Sequence, residues 1–143
     1  MAPLLALAVV MLLSPSLVKS SGHTPRHNLQ RIIDLAKKIN ESPSKDIFVE
    51  DVSRLAEGSD RCGDKFFCQV EKILEKHVKN HGHPRKRHAE TEILKNLNIY
   101  INSSNVNCNK TLENVTSSEE IKKVPQLVGF LSGCAQHKIL NSA

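Results

Sequence analysis

Residues 62–78 read CGDKFFCQVEKILEKHV, and this stretch constrains the fold more than any other. Phe67, Val70, Ile73, Leu74 and His77 recur at spacings of three and four, with Phe66 beside them. That pattern predicts a helix with one wide apolar face. Asp64, following Gly63, is placed to cap its start by accepting a free backbone N–H of the first turn. Lys65, Gln69, Glu71, Lys72, Glu75, Lys76 and Lys79 fill the opposite face. The predicted helix is therefore half buried and needs other apolar stripes to cover it. Cys62 stands just before it and Cys68 within it, so distant parts of the chain are expected to be stapled at its front.

Three more segments supply such stripes. Over residues 24–40, Thr24 caps, Pro25 suits a first helical position, and Leu29, Ile32, Ile33, Ala36 and Ile39 form the apolar face. Over residues 89–101 the face is Ile93, Leu94, Leu97, Tyr100 and Ile101. Ser117-x-x-Glu120 has the form of a capping box opening a last helix, whose stripe is Ile121, Val124, Leu127, Val128, Leu131 and Cys134. Pro125 falls inside that stripe, and Gly129 and Gly133 weaken it further. An interior proline costs about 3 kcal/mol and kinks a helix, so the last helix either starts at Pro125 or bends there.

The connections are long, short and long. Residues 41–63 hold a short apolar run at 46–49, readable as a minimal strand, and one or two helical turns at 51–56. Residues 80–88 make a compact turn, with Gly82 and Pro84 stopping the helix. Residues 102–118 are polar and rich in Asn and Ser. Two long crossovers around a short turn let sequence neighbours run parallel, which predicts an all-α, up-up-down-down four-helix bundle.

Residues 4–13 are apolar and uncharged, and Val18-Lys-Ser20 offers small residues for cleavage. Residues 1–20 thus read as a secretory signal peptide and residues 21–143 as one helical domain, although the leader lacks an early Lys or Arg. Secretion implies an oxidising route, so Cys62, Cys68, Cys108 and Cys134 are expected in two disulfides. Of three pairings, Cys62 with Cys68 is the poorest, because both flank one helix start. The other two pairings each join this helix to distant partners. The 20 Lys and Arg against 15 Asp and Glu make a mild basic excess that does not argue for nucleic acid.

Asn102-Ser-Ser, Asn109-Lys-Thr and Asn114-Val-Thr are glycosylation triplets in the second long connection, and Asn40-Glu-Ser ends the first helix. Pro43 makes Asn40 the poorest acceptor. His77, His81, His83 and His88 cluster near the middle turn. No Cys or carboxylate completes a zinc set there, so no metal is assigned and these histidines are read as solvated. Lys76, Lys79 and Arg85-Lys-Arg87 form a basic patch, a solvated loop unless it meets heparan sulfate or acidic lipid. No nucleophile elbow, phosphate-binding glycine loop or carboxylate pair is present, so no catalytic residue and no cofactor is assigned, and the chain is not read as an enzyme.

Taken together, Leu29-Gln-Arg-Ile-Ile33, Asp46-Ile-Phe48, Phe67-Cys68, Asn107-Cys108 and Ile121-Lys-Lys-Val-Pro-Gln-Leu-Val128 resemble the interleukin-4/interleukin-13 family of short-chain cytokines. The likeness lies in order and spacing over most of residues 21–143. It implies Cys68–Cys108, because the family joins the second helix start to the last crossover, and leaves Cys62–Cys134 as the other bridge. It further implies a secreted monomer that bridges an interleukin-4 receptor alpha-like chain to a common gamma or interleukin-13 receptor alpha-like chain, for type-2 immune signalling. The family anchors its alpha chain with an acidic residue on the first helix and a basic one on the third. Here Arg31 stands near the acidic position with Asp34 almost one turn on, and Lys95 is the one Lys or Arg of the third helix. These three are the candidate contacts; the other reading makes them ordinary solvated residues. The competing function is a cationic host-defence or glycosaminoglycan-binding protein centred on residues 76–87. Chain collected from the medium of expressing cells is expected to begin at Ser21 by N-terminal sequencing.

Overall fold

Four long helices form where the sequence carries its apolar stripes. The computed structural model describes residues 25–41, 47–57, 61–80 and 88–141. Residues 1–20, expected as a leader, Thr24, expected as a cap, the Asn40 side chain and the basic stretch at 81–87 lie outside the described residues. Helix α1 spans Pro25–Glu41, α2 Asp64–Asn80 and α3 His88–Ser103; a single turn, α4, spans Cys108–Thr111, and α5 spans Val124–Asn141. Strand β1, Phe48–Glu50, pairs antiparallel with β2, Ile121–Lys123, opposing Phe48 to Lys123 and Glu50 to Ile121. The described residues are mostly helical with one small sheet.

The core lies between the long helices. Ile32 and Leu35 of α1, Phe66, Phe67 and Leu74 of α2, Ile93 and Leu97 of α3, and Leu127 and Leu131 of α5 are all essentially inaccessible to solvent. Helix α1 packs chiefly on α3 and α5, and α2 packs on α3 and on α4. Aromatic rings gather at the start of α2, where Phe67 lies edge-on to Phe66 at 5.3 Å and tilted against Tyr100 at 5.2 Å. Both disulfides converge there too: Cys62 pairs with Cys134 of α5 and Cys68 with Cys108 of α4, with Cα separations of 5.1 and 5.4 Å.

Helix α2 starts one residue earlier in role than its sequence implies. Asp64 is its first helical residue rather than its cap, and the Gly63 carbonyl takes the first helical hydrogen bond, from the Phe67 N–H at 3.2 Å. Glycine is tolerated at a cap, and the Asp64 charge in the first turn favours the positive end of the helix dipole. Gln69, expected on the water face, is buried, so all five residues from Phe66 to Val70 are covered. The cause is tertiary: α3, α4 and β1 all pack on α2.

Helix α3 ends in a Schellman turn. Asn105 takes the left-handed conformation at φ 58°, its N–H bonds the Asn102 carbonyl, and the Val106 N–H bonds the Ile101 carbonyl. Asparagine adopts that conformation at lower cost than most residues, and the two bonds satisfy carbonyls left open at the helix end. The connection that follows is not wholly irregular, because Asn107 caps α4 by accepting the Lys110 N–H.

The expected capping box at Ser117 and Glu120 does not open α5. The Ser118 hydroxyl accepts the Glu120 N–H instead, residues 121–123 are extended, and the helix begins at Val124. Proline explains the boundary: a helix running through 121–125 would drive the Pro125 ring into the Ile121 carbonyl. In the first turn its missing N–H costs nothing. Gln126 reaches back to accept the Lys123 N–H at 2.9 Å, and the Val124 N–H bonds the Ile47 carbonyl at 3.1 Å. The possibility of a bend at an interior proline is therefore set aside. Residues 51–56, expected as one or two helical turns, hold a 3-10 turn over Ser53–Leu55.

Pro125→Ala is expected to change unfolding free energy by less than about 1 kcal/mol, whereas relieving an interior proline would gain about 3 kcal/mol. Leu127→Ala should lose about 2–5 kcal/mol. Urea denaturation of the oxidised chain separates these outcomes.

Candidate receptor-binding face

The interface of α1 and α3 contains polar groups where apolar ones would pack more simply. Asn28 of α1 is 2% exposed, and its amide donates to Asn96 Oδ1 across the interface at 3.1 Å. Asn96 in turn donates to the Glu92 carbonyl at 2.8 Å, within α3. A buried amide needs such partners, and the pair favours one alignment of the two helices. Over it lies a shallow groove of about 200 Å³, lined by His27, Asn28 and Arg31 of α1 and by Glu92, Lys95, Asn96 and Ile99 of α3.

The structure brings Arg31 and Lys95 to this one groove, both exposed. Asp34 does not line it; its carboxylate accepts from the Gln30 amide at 3.3 Å on the exposed side of α1. Two cations against one carboxylate give the groove a net positive lining, with the two amides and one apolar side chain, Ile99, beside them. That combination suits a partner offering a carboxylate beside an apolar or aromatic side chain.

His77 is not a solvated turn histidine. It is buried, and its Nε2 lies 2.9 Å from Glu90 Oε2, with the two side chains 1% and 7% exposed. The pair joins the end of α2 to the start of α3. His81 and His83 lie outside the described residues. Among the described residues, no group of three His, Cys, Asp or Glu can hold a metal ion, and no helix is long and apolar enough to cross a membrane.

A second polar knot ties the crossovers to the bundle. Glu50 Oε2 accepts the Gln69 amide at 2.7 Å and the Ser118 N–H at 3.1 Å. Beside it, Asp51 accepts the Ser53 N–H at 3.0 Å and the Ser53 hydroxyl at 2.8 Å. Burial pushes the Asp51 carboxyl up, but the two Ser53 bonds and the charges of Lys122 and Arg54 outweigh it and hold the group below its ordinary value.

Several of these residues were missed by apolar patterning although their positions were suggestive. Asn28 precedes Ile32, Leu35 and Ile39 at four, seven and eleven residues. Glu90 precedes Ile93, Leu97 and Ile101 at three, seven and eleven. A polar residue in phase with a stripe signals a buried partner. Nothing local marked Gln69 or Glu50.

No protein-family model, curated protein or solved structure matches the chain.

The depressed Asp51 carboxyl stabilises the fold fully above about pH 4, the unfolded range for aspartate, and loses that contribution as pH falls further. Asp51→Asn should therefore lower stability at pH 6 and shrink the gap to the parent protein by pH 2, read from urea midpoints at both pH values.

Proposed function

We propose that this chain is a secreted short-chain four-helix cytokine of the interleukin-4/interleukin-13 type, which signals by bridging two receptor chains. The observation that carries the proposal is the packing order. Two long crossovers allow α1 and α2 to run parallel, so each should pack mainly on helices from the other half of the chain. Here α1 packs on α3 and α5, and α2 packs on α3. A simple up-and-down meander would pair α1 with α2. The β1–β2 ladder supports the same up-up-down-down reading, since it joins the first crossover to the end of the second.

In this reading the α1/α3 groove meets the receptor alpha chain, with Arg31 and Lys95 as charged anchors. The second receptor chain meets α1 and α5. Beside α5 lies a groove of about 390 Å³, lined by Gly129, Gly133, Gln136 and His137 of that helix and by Ala56, Arg61 and Cys62 from before α2, with no residue of α1. Gly129 and Gly133 leave open space where side chains would stand, which permits close approach of a partner backbone. Chemistry inside the domain is not part of this function; it consists of bringing two receptor tails together.

A second reading rests on Lys72, Lys76 and Lys79, which are all exposed along α2. Such a row also suits a sulfated polysaccharide or an anionic membrane. The two readings differ in salt dependence and in which face matters.

Binding of the oxidised chain to the same-species receptor alpha ectodomain, at physiological salt, tests the proposal. Saturable binding is expected, and Arg31→Glu or Lys95→Glu should each weaken it about tenfold or more, the equivalent of about 1.4 kcal/mol. Asp34→Lys should weaken it less. Absence of binding, together with salt-sensitive capture on heparin that is lost when Lys72, Lys76 and Lys79 become Ala, would replace the cytokine reading with the second.

A further inference from the structure

The second long connection carries three Asn-x-Ser/Thr triplets, and the fold gives each a different backbone. Asn102 lies in the last turn of α3, and the Ser104 hydroxyl that completes its triplet donates to the Tyr100 carbonyl at 3.0 Å. Asn109 lies inside α4, where the N–H of Thr111, the end of its triplet, bonds the Asn107 carbonyl at 2.9 Å. Asn114 lies beyond both helices, in a turn closed by the Val115 N–H on the Leu112 carbonyl, and residues 115–118 after it are irregular. All three asparagines are exposed, so exposure does not rank them.

Backbone geometry does. Glycan transfer requires the asparagine amide and the hydroxyl two residues on to be engaged together. Residues two apart on an α-helix do not face each other; they are about 200° apart around the axis. A triplet inside a helix must unwind to react. A lone turn such as α4 would unwind readily, because so short a helix is barely stable by itself. The Cys68–Cys108 bridge removes that freedom by fastening the residue before Asn109 to α2.

We propose that Asn114 is the glycan acceptor of the folded chain, and that Asn109 accepts a glycan only before Cys68–Cys108 closes. Asn102, held in α3, is a minor acceptor. The inference rests on the secretory reading above. In the transfer, asparagine Nδ2 bonds to the anomeric carbon of an oligosaccharide carried on a lipid pyrophosphate. The bond from that carbon to the pyrophosphate oxygen breaks, one Nδ2 proton passes to a base of the transferring enzyme, and the lipid pyrophosphate leaves. No electrons are exchanged with the cysteines. The coupling is one of timing: disulfide closure and glycan transfer compete for the same few residues.

The test is a site-by-site occupancy map of the full chain expressed in secretory cells, with and without dithiothreitol during synthesis. A parallel set replaces residues 1–20 with an established leader. Expected are high Asn114 occupancy in both conditions, low Asn109 occupancy in oxidising cells, and a severalfold rise at Asn109 when the disulfides are held open. Asn114→Gln should remove the main glycan from the intact mass. An unoccupied Asn114, or an Asn109 occupancy indifferent to reductant, overturns the proposal. The expected pattern with the substituted leader alone supports the acceptor order and overturns the secretory reading of residues 1–20.

Discussion

The rest of the structure depends on the fastening of one helix start. Cys62 and Cys68 bracket the first turn of α2 and bind it to α5 and α4 across separations of 72 and 40 residues. In the chain-entropy model, loops of this size are worth about 4 kcal/mol each. The chain has no Trp, one Tyr and four Phe, so few large side chains are available for its interior. Phe66, Phe67 and Tyr100 are gathered at the fastened end. The bridges and the bulkiest packing thus act on the same place, and the long connections are anchored there without much regular structure of their own.

The crossovers are held by hydrogen bonds as well as by apolar contacts, for Val52 is buried in the core and Ile47, Val49, Leu55 and Val106 pack against it. The strands are three residues each, and Phe48 and Ile121 on them stay half exposed or more. What fixes the ladder is a set of directed contacts around Glu50 and Asp51, and the backbone bonds that flank it, from the Asp51 N–H to the Glu120 carbonyl and from Val124 to Ile47. Glu50 is satisfied by one side chain from α2 and one backbone N–H from the second connection. Loss of either element would leave a partly buried carboxylate short of donors, which is costly and makes the arrangement cooperative.

The same logic shapes the α1/α3 face. Asn28 and Asn96 do not strengthen the core as leucines would, but they favour one alignment of two helices, and in that alignment Arg31 and Lys95 line the same groove. The buried His77–Glu90 contact does this for the junction of α2 and α3. Polar contacts of this kind contribute more to a single geometry than to net stability.

Much of the helical content was legible because helical periodicity is local: the stripes of α1, α2 and α3 follow from residues a few positions apart. Pro125 also acted locally, yet its effect had two readings until the strand before it was seen to pair with β1. Arg31 and Lys95 were picked out by likeness to a family, and their shared groove follows from how α1 and α3 cross. By itself, the sequence determined four amphipathic helices, two long connections and four cysteines needing partners. Only the tertiary structure decided which polar residues are buried, that residues 121–123 pair as a strand rather than begin a helix, and which asparagine triplet stays outside a helix. Those outcomes depend on what a distant segment presents across the contact, and no local pattern carries that information.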